Sequence, residues 1–445
     1  PYTTLFRSTS ELITMIPGDS IPSEGNYSQL RDLFNTTENN EFKASIVPSQ
    51  ALIDLSAAQK YCHFTPGGEF VLAPDNLRGF LKGDLRLNAA YTADEGTYFL
   101  NGKRVENYAV FSKYQTRNVH IQLNDVNTWE SDHFKFYWGN SGADSSRVTQ
   151  SFLEENAKNL EACWDVYMND LSMNPPTQSV NESLRDGNEY KVNFYIHNTG
   201  LKDEGGTAVP TDWAYMGYDR EGYAFMFCCV DAMQNSPNPS WVLPHEFGHV
   251  VTAHQYGWND NKYVNALWEA IANWYREQFL YSDYYQQWAN VNGITDYFMT
   301  YMQNLQFTPI SGRDNYASWA FLQYLTENPD HLGNYGSDFI KNLMQQGTRD
   351  EYPYSEIERI GGADIKDTLG HYAKRLATLD FAHQKEYRAR QNELLSQGEM
   401  SWNQIYTVLE KTPKENYYTV PTDRAPQQFG VNIIPLNVTG DTVSV

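Results

Sequence analysis

Cysteine is scarce: Cys62, Cys163, Cys228 and Cys229 are all that 445 residues contain. That is far below a disulfide scaffold, and without a CxxC pair neither a cysteine zinc site nor a thioredoxin-type motif has support. Cys228 and Cys229 are neighbours whose side chains would point to opposite faces of a strand, which argues against their pairing. A single bridge such as Cys62 to Cys163 stays open. Positive charge is also short. Lys plus Arg number 33 against 55 Asp plus Glu, a formal charge of −22, and so acidic a chain repels phosphate backbones, which makes nucleic acid a poor partner. No run of about 18 apolar residues occurs, so nothing reads as a transmembrane segment. GxSxG, Walker and dinucleotide glycine fingerprints are missing, which leaves serine-hydrolase, nucleotide and nicotinamide readings unsupported. Internal repeats and low-complexity tracts are missing too.

What the chain has in plenty is aromatic surface: 32 Tyr, 22 Phe and 11 Trp make up 15%. Such amphipathic rings suit extracellular enzymes and glycan binders. Hydrophobic residues at 41% and charged residues at 20% are globular values. The length carries a prior of about three domains. The chain starts at Pro1 without a basic and apolar leader, as a mature or truncated chain would. Residues 1–8, PYTTLFRS, resemble the translation of a sequencing-adapter end and are expected to be an artefact on a metagenomic fragment. IIPLNVTGDTVSV at the other end stops inside what reads as a strand pair, so both ends are expected to be cut. Sequons at Asn26, Asn35, Asn181 and Asn437 matter only in a source that glycosylates.

Residues 9–125 carry short alternating runs such as GTYFL and NVHIQL between Gly, Asn and Asp turn signals, which predicts a β-rich N-terminal region. From Asp132 the character changes. HFKFYWGN (133–140) reads as a strand. Residues 145–171 read as a long helix whose Val148, Phe152, Leu160, Cys163, Trp164, Tyr167 and Leu171 form one buried face, ended by Pro175 and Pro176. Strand YKVNFYIHNTG (190–200), a glycine-rich loop and strand-like YAFMFCCV (223–230) follow. In that loop Gly205 and Gly206 read as a plain turn. Helices are predicted over 240–256 and 262–281, with more through about 385. After that, turn and strand signals around Pro413, Pro421 and Pro426 predict a β-rich C-terminal segment over 386–445. This order predicts an α+β catalytic-type domain over 126–385 between β-rich flanks.

Chemistry concentrates at His245-Glu246-Phe247-Gly248-His249, an HExxH. On a helix, residues four apart share a face, so both imidazoles can reach one metal ion, while Glu246 is offset toward a water beside it. With 10 His in the chain, chance yields such a motif in roughly 0.01 of comparable sequences. A helix with two unrelated surface histidines is the plainer alternative. Against it, Trp241, Val242, Leu243, Phe247, Val250 and Val251 make the helix apolar, and Gly257 ends it. A hydrolytic zinc site takes three protein ligands and an open position. NALWEAIANWYREQFL offers the third in Glu269, separated from His249 by nineteen residues. Trp268, Ile271 and Ala272 surround Glu269 with core residues, where an unpartnered carboxylate would be costly.

HExxH, about nineteen residues, then Glu on the next helix resembles the gluzincins, the thermolysin-like zinc peptidases, strongly over 240–281 and loosely over 132–385. The resemblance implies a zincin-like domain (a mixed sheet, the HExxH helix and a following ligand helix) with zinc held by His245, His249 and Glu269. Thermolysin-like chains often place a carboxylate four residues after the ligand Glu to hold the first His. Here Asn273 stands there; its amide oxygen can fix the tautomer but raises ligand basicity less. The order HNTG, glycine-rich loop, GYAF strand, HEFGH and WEAIANW also looks like a secreted bacterial zincin-like domain family of unknown function, which implies no substrate.

The mechanism so implied is hydrolysis by activated water, with Glu246 as general base. In the aminopeptidase branch a Tyr opening a helix steadies the oxyanion, and DNYASWAFLQYL makes Tyr316 the counterpart, although a core or capping aromatic is the plainer role. His254, His331 and His371 are weaker candidates. An edge strand before the HExxH helix is expected to bind substrate by β-augmentation, with Tyr223, Ala224, Phe225 and Met226 as its residues. Trp241, Trp268 and Trp274 read as packing around the site. The expectation is a secreted or cell-surface zinc metallopeptidase acting on protein or glycoprotein. Two alternatives stand beside it: a glycan-binding or adhesive module with a vestigial metal site, and a zinc hydrolase of a non-peptide bond. Paired carboxylates for glycosidic chemistry meet in space rather than in sequence and stay open.

Overall fold

The computed structural model describes residues 121–436 except 210–211, 235–239, 259–261, 264, 286–295 and 311–315; before residue 121 it describes only Thr116 and eight strand segments. Residues 1–8, residues 437–445 and the sequons at Asn26, Asn35 and Asn437 lie outside the described residues. Two compact units emerge: residues 1–119, 128–136 and 186–192 form one, and residues 120–127, 137–185 and 193–445 the other.

The first unit contains β1 (Glu11–Met15), β2 (Phe42–Ile46), β3 (Ala51–Ile53), β4 (Cys62–Phe64), β5 (Glu69–Leu72), β6 (Leu87–Ala89), β7 (Tyr98–Leu100) and β8 (Lys103–Val105). Four of them make a sheet in the order β2-β1-β5-β4, with β1 antiparallel to β2 and parallel to β5. β3 pairs with β6 and β7 with β8, both antiparallel.

A five-stranded mixed sheet follows in the chain: β9 (Val126–Glu130), β10 (Phe134–Gly139), β11 (Val192–Ile196), β12 (Ala214–Tyr218) and β13 (Ala224–Cys228), in the order β12-β13-β11-β10-β9. AFMFC is an unbroken apolar run and VNFYI is broken only by Asn193, and every residue of β11 and β13 is buried, as befits strands covered on both faces. They pair in parallel, Phe194 to Met226. β12 closes the sheet antiparallel to β13, with Gly217 opposite Phe225. A Cβ at Gly217 would lie 2.6 Å from the Phe225 ring, so glycine there lets that ring cross the outer strand. One expectation is thereby corrected. The segment Tyr223–Met226 is not an edge: from Ala224 on it is β13, hydrogen-bonded on both sides, and the edge is β12.

Helices supply the rest, making the chain a mixed α+β protein. They are α1 (Gln150–Trp164), α2 (Val230–Met233), α3 (Val242–Ala253), α4 (Asn265–Leu280), α5 (Asp296–Met302), α6 (Trp319–Glu327), α7 (Phe339–Gln346), α8 (Pro353–Gly361), α9 (Ile365–Leu376), α10 (Gln384–Gln397) and α11 (Trp402–Ile405). α1 starts where Thr149 Oγ1 accepts the Phe152 N–H, a side-chain cap. It runs on into a wider π-type turn, Asp165–Asp170. The predicted C-terminal β-rich segment opens with α10 instead, because QKEYRARQNELLSQ is made of helix formers and ends at Gly398 in the left-handed conformation. Its strands, β14 (Glu410–Lys411) and β15 (Tyr418–Thr419), form one short hairpin. No helix among the described residues is long and apolar enough to cross a membrane.

α3 is buried along its whole length. It lies against β12 and β13 on one side and α4 on another. Behind it, Tyr167 stacks on Phe247 at 5.6 Å and meets Tyr275 at a tilt at 4.7 Å, and its hydroxyl donates to Pro244 O at 2.9 Å. α3 approaches α4 closely at Gly248, where a Cβ would meet Tyr275 Cβ at 2.9 Å and Ala272 Cα at 3.3 Å. On the far side of α4, Trp274 Nε1 donates to Thr326 of α6 at 2.9 Å. Two neighbouring helices are thus held at a spacing that only glycine permits.

Candidate metal centre

That spacing brings three side chains to a point. His245 and His249, four apart on α3, face Glu269 of α4, and one donor atom from each lies within 4.8 Å of the others. His245 Nε2 is 3.1 Å and His249 Nε2 3.3 Å from Glu269 Oε2. Ligands at about 2.0–2.1 Å around a tetrahedral zinc lie about 3.3 Å from one another, which both distances match.

Asn273, one turn beyond Glu269 on the same face, fixes the protons. Its amide nitrogen donates to Tyr316 O at 2.6 Å, so its oxygen is the atom that meets His245 Nδ1 at 2.7 Å. The His245 proton therefore sits on Nδ1. Burial pushes the His245 pKa down to about 4, so near neutrality the ring is uncharged and Nε2 carries a lone pair. A lone pair and a carboxylate oxygen at 3.1 Å with no proton between them repel. A cation removes that repulsion. Two imidazole nitrogens and one carboxylate oxygen are a donor set suited to zinc, so the residues present fit the metal.

Aromatic plates hold the imidazoles. His249 stacks on Trp268 at 5.2 Å and 15°, and His245 on Tyr316 at 5.9 Å and 18°. Trp268 therefore packs at the cluster, as its position in the sequence predicts. Trp274 and Trp241 lie elsewhere, one bonded to Thr326 and the other 4.8 Å under the Arg276 guanidinium. Glu246, next to His245, is buried. Burial pushes its pKa up to about 7; the Glu269 charge adds to the rise and His249 opposes it.

Among the weaker candidates, none joins the cluster. His254, just past α3, is buried and gives its Nδ1 to Val250 O at 2.8 Å. His371, half exposed on α9, faces Asp330 at 3.6 Å, and His331 lies in the turn after α6. Two features escaped the sequence reading: the edge strand β12, and the Tyr316 carbonyl as the anchor of Asn273. Alternation in AYMGY was the available signal for the first, and Gly217 blurred it. The second is a main-chain contact that leaves no trace in residue type.

A family model described as "Family of unknown function (DUF6055)" matches residues 100–445. No curated protein matches the chain.

Proposed function

For this chain, which belongs to that family of unknown function, we propose a zinc-dependent hydrolase of the gluzincin type, most specifically a peptidase. The observation that carries the reading is the convergence of His245, His249 and Glu269, with the His245 Nε2 lone pair turned toward the Glu269 carboxylate. His245, His249 and Glu269 would hold the ion, and zinc there supplies Lewis-acid activation of a water and of a scissile carbonyl.

The rest of the work falls to the chain. Glu246, offset by one residue from the first ligand and raised to about 7, takes the proton of the attacking water and hands it to the leaving group. A positive charge among the ligands draws that pKa back down and keeps the carboxylate ionised. Asn273 holds His245 in the tautomer that leaves Nε2 free, and Trp268 and Tyr316 keep the rings from turning. Tyr316, against His245 and with 40% of its surface exposed, is the candidate to steady the oxyanion. A peptide rather than another ester or amide is favoured by β12: an edge strand beside α3 is placed to take up an extended substrate by strand addition. Protein or glycoprotein outside the cell is the substrate class that goes with this reading.

Casein hydrolysis by zinc-loaded protein, compared with Glu246→Gln, is the test. The variant is expected to keep zinc and lose about 10²–10⁴-fold in rate. Full activity in zinc-loaded Glu246→Gln sinks the mechanism.

A further inference from the structure

A second concavity shares no residue with the metal cluster. The N-terminal turn of α8 and the 427–429 turn enclose a cavity of about 390 Å³. Its walls are aromatic. Tyr354 and Phe429 meet at 4.9 Å and 62°, and Tyr352 stands 6.2 Å from Tyr354 with 56% of its surface exposed. The buried wall is preformed: the Tyr354 hydroxyl is hydrogen-bonded to Thr308 Oγ1 and accepts the Ile310 N–H at 2.9 Å. Phe429 holds a φ of 66°, a left-handed conformation costly for a bulky residue. Hydrogen bonds from Gln427 N to Gln306 O and Gly430 N to Gln427 O, both 2.8 Å, pin that turn.

The polar lining is short of partners and of positive charge. Ser355 and Gln428 line the cavity, and neither side chain hydrogen-bonds to any described residue. Gln427 uses its oxygen on Thr308 N and keeps its amide nitrogen, and Glu358 uses one oxygen on Ile365 N and keeps the other. No Lys or Arg lines the cavity, so a phosphate, sulfate or other anion finds no counter-charge. Hydroxyl, amide and carboxylate groups around ring faces match a ligand with an apolar C–H face and a rim of hydroxyls.

We infer that this cavity binds a neutral sugar residue, a hexose or N-acetylhexosamine unit of a glycan, with Tyr352 and Phe429 against its ring and Ser355, Gln427, Gln428 and Glu358 on its hydroxyls. The inference stands apart from the hydrolase reading. Tyr352 also packs on Tyr263 at 6.0 Å, in the segment joining α3 to α4, so a bound sugar would lie next to the connection between the ligand helices.

The test is saturation-transfer NMR on the full chain treated with EDTA, titrated with glucose, galactose, mannose, N-acetylglucosamine, N-acetylgalactosamine and their disaccharides. At least one is expected to bind saturably, roughly tenfold more weakly to Tyr352→Ala and more weakly to Gln428→Ala. Both residues are exposed, so the variants are expected to melt with the parent. No binding by the parent chain, or equal binding by both variants, overturns the assignment. Because the titration is run without metal, its failure is separate from any failure of zinc-dependent cleavage.

Discussion

Asn273 is the most informative residue to change, because two hydrogen bonds, one buried and one part-buried, pass through one amide: His245 Nδ1 to Oδ1 at 2.7 Å and Nδ2 to Tyr316 O at 2.6 Å. Asn273→Ala removes both and leaves a buried imidazole N–H and a part-buried carbonyl without their partner. At about 1–3 kcal/mol for the buried group and about 1 kcal/mol for the part-buried one, the metal-free chain is expected to lose about 2–4 kcal/mol. His245 is also freed to turn or to change tautomer, and loss of such a partner typically costs 10–100-fold in metal affinity. Asn273→Asp separates the two roles. A carboxylate still accepts from Nδ1 and makes the ring a better donor, so zinc affinity is expected to equal or exceed the parent's. It cannot donate to Tyr316 O, so stability is expected to fall by about 1–3 kcal/mol. Competition for zinc against a chromophoric chelator measures the first effect, and urea unfolding of the metal-free protein the second. If Asn273→Ala binds zinc as tightly as the parent, the argument from the His245 tautomer is refuted.

Gly248→Ala places a Cβ 2.9 Å from Tyr275 Cβ. Helix propensity favours alanine by about 1 kcal/mol, but overpacking two abutting helices costs about 1–3 kcal/mol. The variant is therefore expected to be less stable and to bind zinc more weakly, since α3 and α4 carry opposite halves of the site; equal or greater stability in urea contradicts the packing argument. A pH dependence is expected from Glu356, which is buried on α8 and accepts the Thr348 N–H at 3.1 Å. Burial pushes its pKa up to about 7, with the Glu351 charge adding to the rise. Its contribution is complete below the unfolded value near 4.5, where it is protonated in both states, and is lost as pH rises through about 7. The loss is on the order of 3 kcal/mol. Glu356→Gln should flatten stability between pH 5 and pH 8, and an unchanged slope would show that the carboxyl is not the source.

The site was the more legible part of this chain, and the reason is periodicity. His245 and His249 four apart, and Glu269 and Asn273 four apart, each share a face of a largely apolar helix, so both helices and their inward sides follow from spacing. Which strand formed the sheet edge did not follow. AFMFC is apolar at every position, and that pattern belongs to a strand flanked on both sides, yet its nearness to the HExxH helix made it look like the substrate strand. AYMGY is half exposed and interrupted by Gly217, so it read as loop. Its role depends on Phe225 crossing from the neighbouring strand, a tertiary fact. The same holds for the stacking of Trp268 on His249 and Tyr316 on His245. Residue types made aromatic packing near the cluster foreseeable, but which ring met which imidazole was decided by how the helices pack.

Zinc content tests the central claim most directly. Purified protein reconstituted with zinc, freed of excess and analysed for metal is expected to hold one zinc per chain, and His245→Ala and His249→Ala are expected to hold none under the same conditions. A parent chain without stoichiometric zinc, or variants that keep it, would contradict the assignment of His245, His249 and Glu269 as a metal centre.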